Sequence, residues 1–113
     1  MPGGGSCVAV NNRNDVWVTN AGQEIWHWNG SAWEKKDGAA VNISVGVDGT
    51  IACCNAQGNI WVRDHVNAPW VQMPGAARQI SVWTKNRMVA VNAQDEIWAW
   101  SGTRLSQLST ESY

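Results

Sequence analysis

Ile80–Gly102 reads ISVWTKNRMVAVNAQDEIWAWSG, and the same pattern occurs twice more in the chain. Aligned without a gap, Val8–Gly30 is VAVNNRNDVWVTNAGQEIWHWNG and Ile43–His65 is ISVGVDGTIACCNAQGNIWVRDH. One column holds Asn20, Asn55 and Asn92, at spacings of 35 and 37 residues. Others hold Ile25, Ile60 and Ile97, and Trp26, Trp61 and Trp98. The match extends beyond this core. Trp33 and Trp70 each stand five residues before a glycine, Gly38 and Gly75, and each glycine stands five residues before Ile43 or Ile80. Met1-Pro2-Gly3 precedes Val8 as Met73-Pro74-Gly75 precedes Ile80. A fixed period in this range marks one supersecondary unit stacked on copies of itself.

Each unit divides into four short strands. The first is Val8–Asn11, Ile43–Val47 or Ile80–Trp83, and Asp48-Gly49 makes the clearest turn after it. The second is Val16–Thr19, Ile51–Cys54 or Met88–Val91, and the third Ile25–Trp28, Ile60–Arg63 or Ile97–Trp100. After the hairpins Asn29-Gly30 and Ser101-Gly102 comes the fourth, Trp33–Lys36, Trp70–Met73 or Leu105–Leu108. The second unit has a longer link here, Asp64–Pro69. No segment carries a sustained 3.6-residue apolar period, so almost no helix is expected. Such a small sheet cannot bury both faces alone, and stacking copies around an axis solves this. The expected fold is all-β, a β-propeller of four-stranded antiparallel blades, with three blades at about 8–38, 43–75 and 80–108. The first strand, with small residues Ser44, Gly46 and Ser81, is expected innermost. Propellers hold roughly 4–8 blades, so three blades call for a homodimer that closes a six-bladed ring, either with three whole blades from each subunit or with the C-terminal strand Leu105–Leu108 paired to the partner's first blade.

Composition narrows the function. Charged residues are 15% of the 113 and the net charge is -1, which argues against phosphate-driven nucleic-acid binding. No apolar run is long enough to span a bilayer, so no membrane insertion is expected. The start MPGGGS lacks the basic and apolar segments of a signal peptide; a cytoplasmic location is expected, with secretion lacking a visible signal as the other route. There are nine Trp, one Tyr and no Phe. Indole rings serve two roles here, as wedges between stacked sheets and as flat platforms for sugars. The three cysteines, Cys7, Cys53 and Cys54, fall in no repeated Cys column, so neither a metal site nor a cofactor is expected. Cys53 and Cys54 are expected on opposite faces of one strand as small hydrophobes.

The pattern W-x4-G-x4-I-S-V-G-x-D-G followed by N-x4-I-W, seen best in Trp33–Trp61, resembles the tectonin-repeat β-propeller lectins. These span fungal and slime-mould tectonins and horseshoe-crab and fish-egg lectins. The resemblance covers nearly the whole chain to about Leu108. It implies multivalent binding of glycans on bacterial or invertebrate surfaces, including lipopolysaccharide and O-methylated sugars, at blade edges or between blades, in a role in innate defence. The chain departs from that pattern where Gly46 is replaced by Asn11 and Trp83, and Asp48-Gly49 by Arg13-Asn14 and Lys85-Asn86.

Sugar recognition needs a flat apolar wall and a few fixed polar groups. The candidate ligand-binding residues are Trp26, Trp61 and Trp98 as walls, Trp28, Arg63 and Trp100 in a rim column, and Asn29 and Asp64 at strand ends. For the Trp26 column a wedge between blades is the competing role. For Asn20, Asn55 and Asn92 it is capping of their own turn. His27 and His65 are the only histidines, sit in different columns and have no nucleophile motif beside them, so no enzyme is expected. A protein-interaction scaffold is the alternative function.

Overall fold

The computed structural model describes residues 5–11, 15–101 and 104–109, with side chains up to residue 99. The described residues form twelve strands and no helix. They are β1 (Cys7–Val10), β2 (Val16–Thr19), β3 (Ile25–Trp28), β4 (Trp33–Lys36), β5 (Asn42–Val45), β6 (Ile51–Cys54), β7 (Asn59–Arg63), β8 (Val71–Ala76), β9 (Gln79–Thr84), β10 (Arg87–Val91), β11 (Ile97–Ser101) and β12 (Arg104–Ser109). In chain order they make three four-stranded antiparallel sheets, β1 to β4, β5 to β8 and β9 to β12. These are the three expected blades.

The strand bounds depart from expectation in two consistent ways. Each first strand starts one residue early, at Cys7, Asn42 or Gln79. The residue before it is tied to the second strand in every blade: Ser6 N donates to Thr19 O, Val41 N to Cys54 O and Arg78 N to Val91 O. The fourth strand of blade 2 starts after Trp70 and runs through Pro74 to Ala76. A register shift absorbs the extra residues, with Ile60 opposite Met73 but Asn59 opposite Ala76. The skipped pair is Pro74, which has no N–H to offer a ladder, and Gly75, at φ 101°.

The turn after each second strand repeats in detail. Gln23 N donates to Asn20 O, Gly58 N to Asn55 O and Asp95 N to Asn92 O. The donor residue is left-handed each time, at φ 66° for Gln23, 85° for Gly58 and 64° for Asp95. Only blade 2 places glycine there, where no Cβ penalty applies.

Blades approach closest along their first strands, β1 against β5 and β5 against β9. Asn11 Nδ2 donates to Gly46 O at 2.9 Å. Val47 N donates to Trp83 O at 2.8 Å. Ile80 N reaches Asn42 Oδ1 (2.8 Å) and Val82 N reaches Ser44 Oγ (3.0 Å). Asp48 accepts from Lys85 N at 2.9 Å. Partial burial works against its charge, but the N–H groups of Lys85 and Thr50 outweigh it and hold its carboxyl below the usual range. A Cβ on Gly46 would lie 2.5 Å from Trp83 O, so a small residue is required where blade 2 meets blade 3.

Two apolar cores lie between blades. Trp17, Ile25 and Ala40 of the first pack with Ile43, Val45, Ile51 and Cys53 of the second. Ala52, Cys54, Ile60, Val62 and Ala77 pack with Ile80, Val82, Met88 and Ala90 of the third. Cys53 and Cys54 thus enter different cores from opposite faces of β6, as expected of small hydrophobes.

Two substitutions test this geometry through the urea unfolding midpoint. Gly46→Ala pushes blade 3 off blade 2 and lowers stability by roughly 1–3 kcal/mol. Gln23→Gly relieves the left-handed turn and raises it by about 1 kcal/mol.

Candidate functional site

Blades that touch at their first strands splay apart toward their fourth. Between blades 1 and 2 this leaves a cleft of about 340 Å³. Blade 1 and the connection after it contribute Ile25, Asp37, Gly38 and Ala39; blade 2 contributes Cys53, Asn55, Gln57, Trp61 and Trp70. Trp61 lies on β7 opposite Cys53 and points toward blade 1, half-buried. Trp70 precedes β8, and its Nε1 donates to Asp37 O at 2.8 Å. That bond pins the second indole wall to the connection between blades. Gly38 allows the approach: it is left-handed (φ 95°), and a Cβ there would sit 3.3 Å from Trp70 Nε1.

Asn55 supplies polarity at the cleft. Its Oδ1 caps its own turn, accepting from Gln57 N (3.1 Å) and Asn59 N (2.9 Å). In the other blades the cap's amino group is also occupied: Asn20 Nδ2 donates to Glu24 and Asn92 Nδ2 to Glu96. Blade 2 has Asn59 in place of the glutamate, and among the described residues Asn55 Nδ2 has no partner. It is available to a ligand hydroxyl. The Cys53 thiol is pushed up to about 12 by burial and by neighbouring Cys54, against the opposing pull of Arg63. It lines the cleft as an unreactive apolar group.

Arg63 was expected at an accessible rim, yet it is buried, at 5% exposure. Its guanidinium lies 4.9 Å from the Trp70 ring centroid and 5.8 Å from that of Trp17. Its Nη2 donates to Val66 O (2.8 Å), its Nε to His65 O (3.3 Å) and its Nη1 to Asp37 Oδ1 (3.3 Å). A planar fork can hold two carbonyls, a carboxylate and an aromatic face together. Arg63 braces the wall from behind and is not a rim contact.

The remaining candidates scatter. Asn29 Oδ1 caps its hairpin, accepting from Ser31 N and Ala32 N at 2.8 Å each. Asp64 pairs on the surface with Lys85 at 3.2 Å. Trp28 packs edge-on against Trp33, with centroids 5.3 Å apart. Trp26 is half-buried on the outward face of blade 1, and Trp98 is half-buried on blade 3. The Trp100 side chain lies outside the described residues. Of the seven whose side chains are described, only Trp61 lines the cleft. Trp70, Asp37 and Gln57 were not singled out as ligand contacts from the sequence, although the Trp33/Trp70 column and the glycine after it carried the signal for Trp70.

Arg63→Met keeps bulk but strands two loop carbonyls and frees Trp70. We expect a loss of about 2 kcal/mol or more in urea unfolding, with a red-shifted indole emission. Arg63→Lys restores the cation without the fork and is expected to recover part of the loss.

Known proteins carry the same units. Tectonin-2 of Physarum polycephalum is 50% identical over 58 residues, which are 50% of this chain and 16% of that protein. Tectonin-1 of the same organism is 44% identical over 54 residues, 48% of this chain and 25% of that protein. The matched stretches are thus a quarter or less of these relatives. Among solved structures, YCF48 bound to D1 peptide superposes with a TM-score of 0.76 at 14% identity, over 99% of this chain and 44% of that one. YCF48 from Cyanidioschyzon merolae gives 0.78 at 13% identity, over 99% and 39%. At that identity the likeness is one of fold, a β-propeller of which this chain supplies less than half. The family model of the Tectonin domain matches residues 5–113. The chain belongs to the tectonin domain family.

Proposed function

We propose that this chain is a lectin that binds cell-surface glycans in clefts between blades, as half of a six-bladed ring closed by a second copy. The observation that carries the reading is the cleft walled by Trp61 and Trp70 with the Asn55 amide at its edge. Indole faces stack on the C–H faces of a pyranose, and an amide with one free end meets a hydroxyl. The volume of about 340 Å³ suits a mono- or disaccharide rather than a folded partner. Lipopolysaccharide and O-methylated sugars are the ligand classes to try first.

On this reading the role is binding. His27 is 7% exposed and its Nε2 is held by Asp15 at 2.7 Å, which suits a packing role. A single cleft of this size binds weakly, and repetition around a ring raises retention on a glycan-coated surface by roughly 10²–10⁴-fold. A second copy of the chain is the proposed cover for the apolar residues Val8, Val10, Trp83 and Val89 that the outer faces of blades 1 and 3 expose.

A protein-binding scaffold is the rival reading, favoured by one observation: a structural neighbour is solved with a peptide bound. A glycan array read beside pull-down of protein partners separates the two. Trp61→Ala is expected to weaken retention on lipopolysaccharide-coated beads about tenfold, the effect of roughly 1.4 kcal/mol. Unchanged retention in the folded variant assigns Trp61 to packing.

A further inference from the structure

The turn that edges the cleft differs from its two sister turns in one consistent respect: it carries no charge. In blade 1 the cap Asn20 gives its amide to Glu24 at 2.8 Å, and Glu24 pairs with Lys35 at 3.2 Å. Those two partners, Asn20 first, hold the Glu24 carboxyl below its usual range. In blade 3 the cap Asn92 gives its amide to Glu96 at 2.7 Å, and Arg78 pairs with Asp95 of the same turn at 2.6 Å. Blade 2 has Asn59 at the glutamate position, Gly58 where Asp95 stands, Val41 where Arg78 stands and Gln72 where Lys35 stands. The strand register confirms the last equivalence, since Lys35 lies opposite Trp26 and Gln72 opposite Trp61.

None of these four residues lines the cleft, yet Asn59 acts on one that does. The Asn55 cap oxygen is filled by Gln57 N and Asn59 N, which fixes the side chain and leaves Nδ2 as the end without a partner among the described residues. A half-buried amide donor without an acceptor lowers stability, and a glutamate four residues on would cure it, as it does twice in this chain. Packing alone therefore does not account for Asn59. The charge of the lining residue Asp37 is answered by Arg63 at 3.3 Å, behind the wall. What remains at the edge is an unpaired donor in neutral surroundings.

We propose that Asn59 is the positioning residue that sets the specificity of this cleft. Acting through Asn55, it keeps the amide free and selects uncharged ligand groups that bring an acceptor oxygen to the edge. A group that only donates leaves the amide unpaired, and an acidic group finds no open cation, because the Arg63 guanidinium is already engaged. The turn thus gives up a stabilising bond in the free protein for one that forms with the ligand. The proposal rests on the glycan reading for the identity of that ligand and on the comparison of the three turns for the donor.

Asn59→Glu rebuilds the sister arrangement without touching a wall. It is expected to raise the urea unfolding midpoint while lowering retention on lipopolysaccharide-coated beads about fivefold, the effect of one hydrogen bond. A damaged fold would lower both, so the opposite signs separate the two causes. Asn59→Gln gives the same reach without the charge and is expected to lower retention equally; a loss with glutamate alone points to repulsion and overturns the proposal. Wild-type retention is expected to hold between roughly 0.05 and 0.5 M salt, and a steep fall overturns the uncharged contact. Unchanged retention by Asn59→Glu, where Trp61→Ala still weakens it, overturns the proposal and leaves the glycan reading standing. A wild type that the beads do not retain counts against the glycan reading, and solvent exchange of the side-chain amide protons, followed by NMR, then judges the donor without a ligand. Those of Asn55 are expected to exchange faster than those of Asn20 and Asn92, and to slow to match them in Asn59→Glu; equal rates in the wild type overturn the proposal.

Discussion

A four-stranded sheet of four- to six-residue strands has two apolar faces and can cover neither by itself, and the rest of this structure depends on that constraint. Blade 2 shows the solution, since it is covered on both sides. Its β6 is buried at every position, IACC, with alternate residues entering the two cores. The strand therefore reads as a continuous apolar run, although the sheet is antiparallel. Blades 1 and 3 are each covered on one side only, and the contrast between buried Ile43 and exposed Val8 is the direct measure of what stacking supplies.

Stacking also dictates where a cleft opens. First strands are drawn together by bonds in which one blade's polar group satisfies the next blade's backbone, as Asn42 and Ser44 do for Ile80 and Val82. Close contact at that edge forces the sheets to diverge at the other. Large rings suit the widening gap, as Trp61 on the third strand and Trp70 just before the fourth show between blades 1 and 2. Where two indoles face the gap without filling it, a cleft remains. The cleft is thus a by-product of the same wedge geometry that packs the blades, refined by a bond as specific as that from Trp70 to the Asp37 carbonyl.

The architecture was legible because it is written three times. Strand order, the turn role of the asparagines and the opposite facing of Cys53 and Cys54 all follow from register between copies. The site was less legible because it is made from differences between copies. Arg63 reads as a rim residue when its column is averaged with Trp28, and only the two-residue longer link, whose carbonyls it holds, explains its burial. Asn55 reads as a turn cap, which it is; its amino group differs from those of Asn20 and Asn92 because Asn59 stands where the other blades have a glutamate, four residues after the asparagine. Trp70 carried a spacing signal, yet its role needed Asp37 brought beside it from the preceding blade.

Divergence between repeats therefore has physical content. A column that must pack stays apolar in every copy, as Ile25, Ile60 and Ile97 do. A column that faces a gap is released from that requirement and holds Trp33, Trp70 or Leu105. The same release lets the Asn cap keep a carboxylate partner in blades 1 and 3 and lose it in blade 2. Each seam then has common walls in its core and its own polar edge at the rim, so the two seams of the described residues differ in chemistry on a single fold.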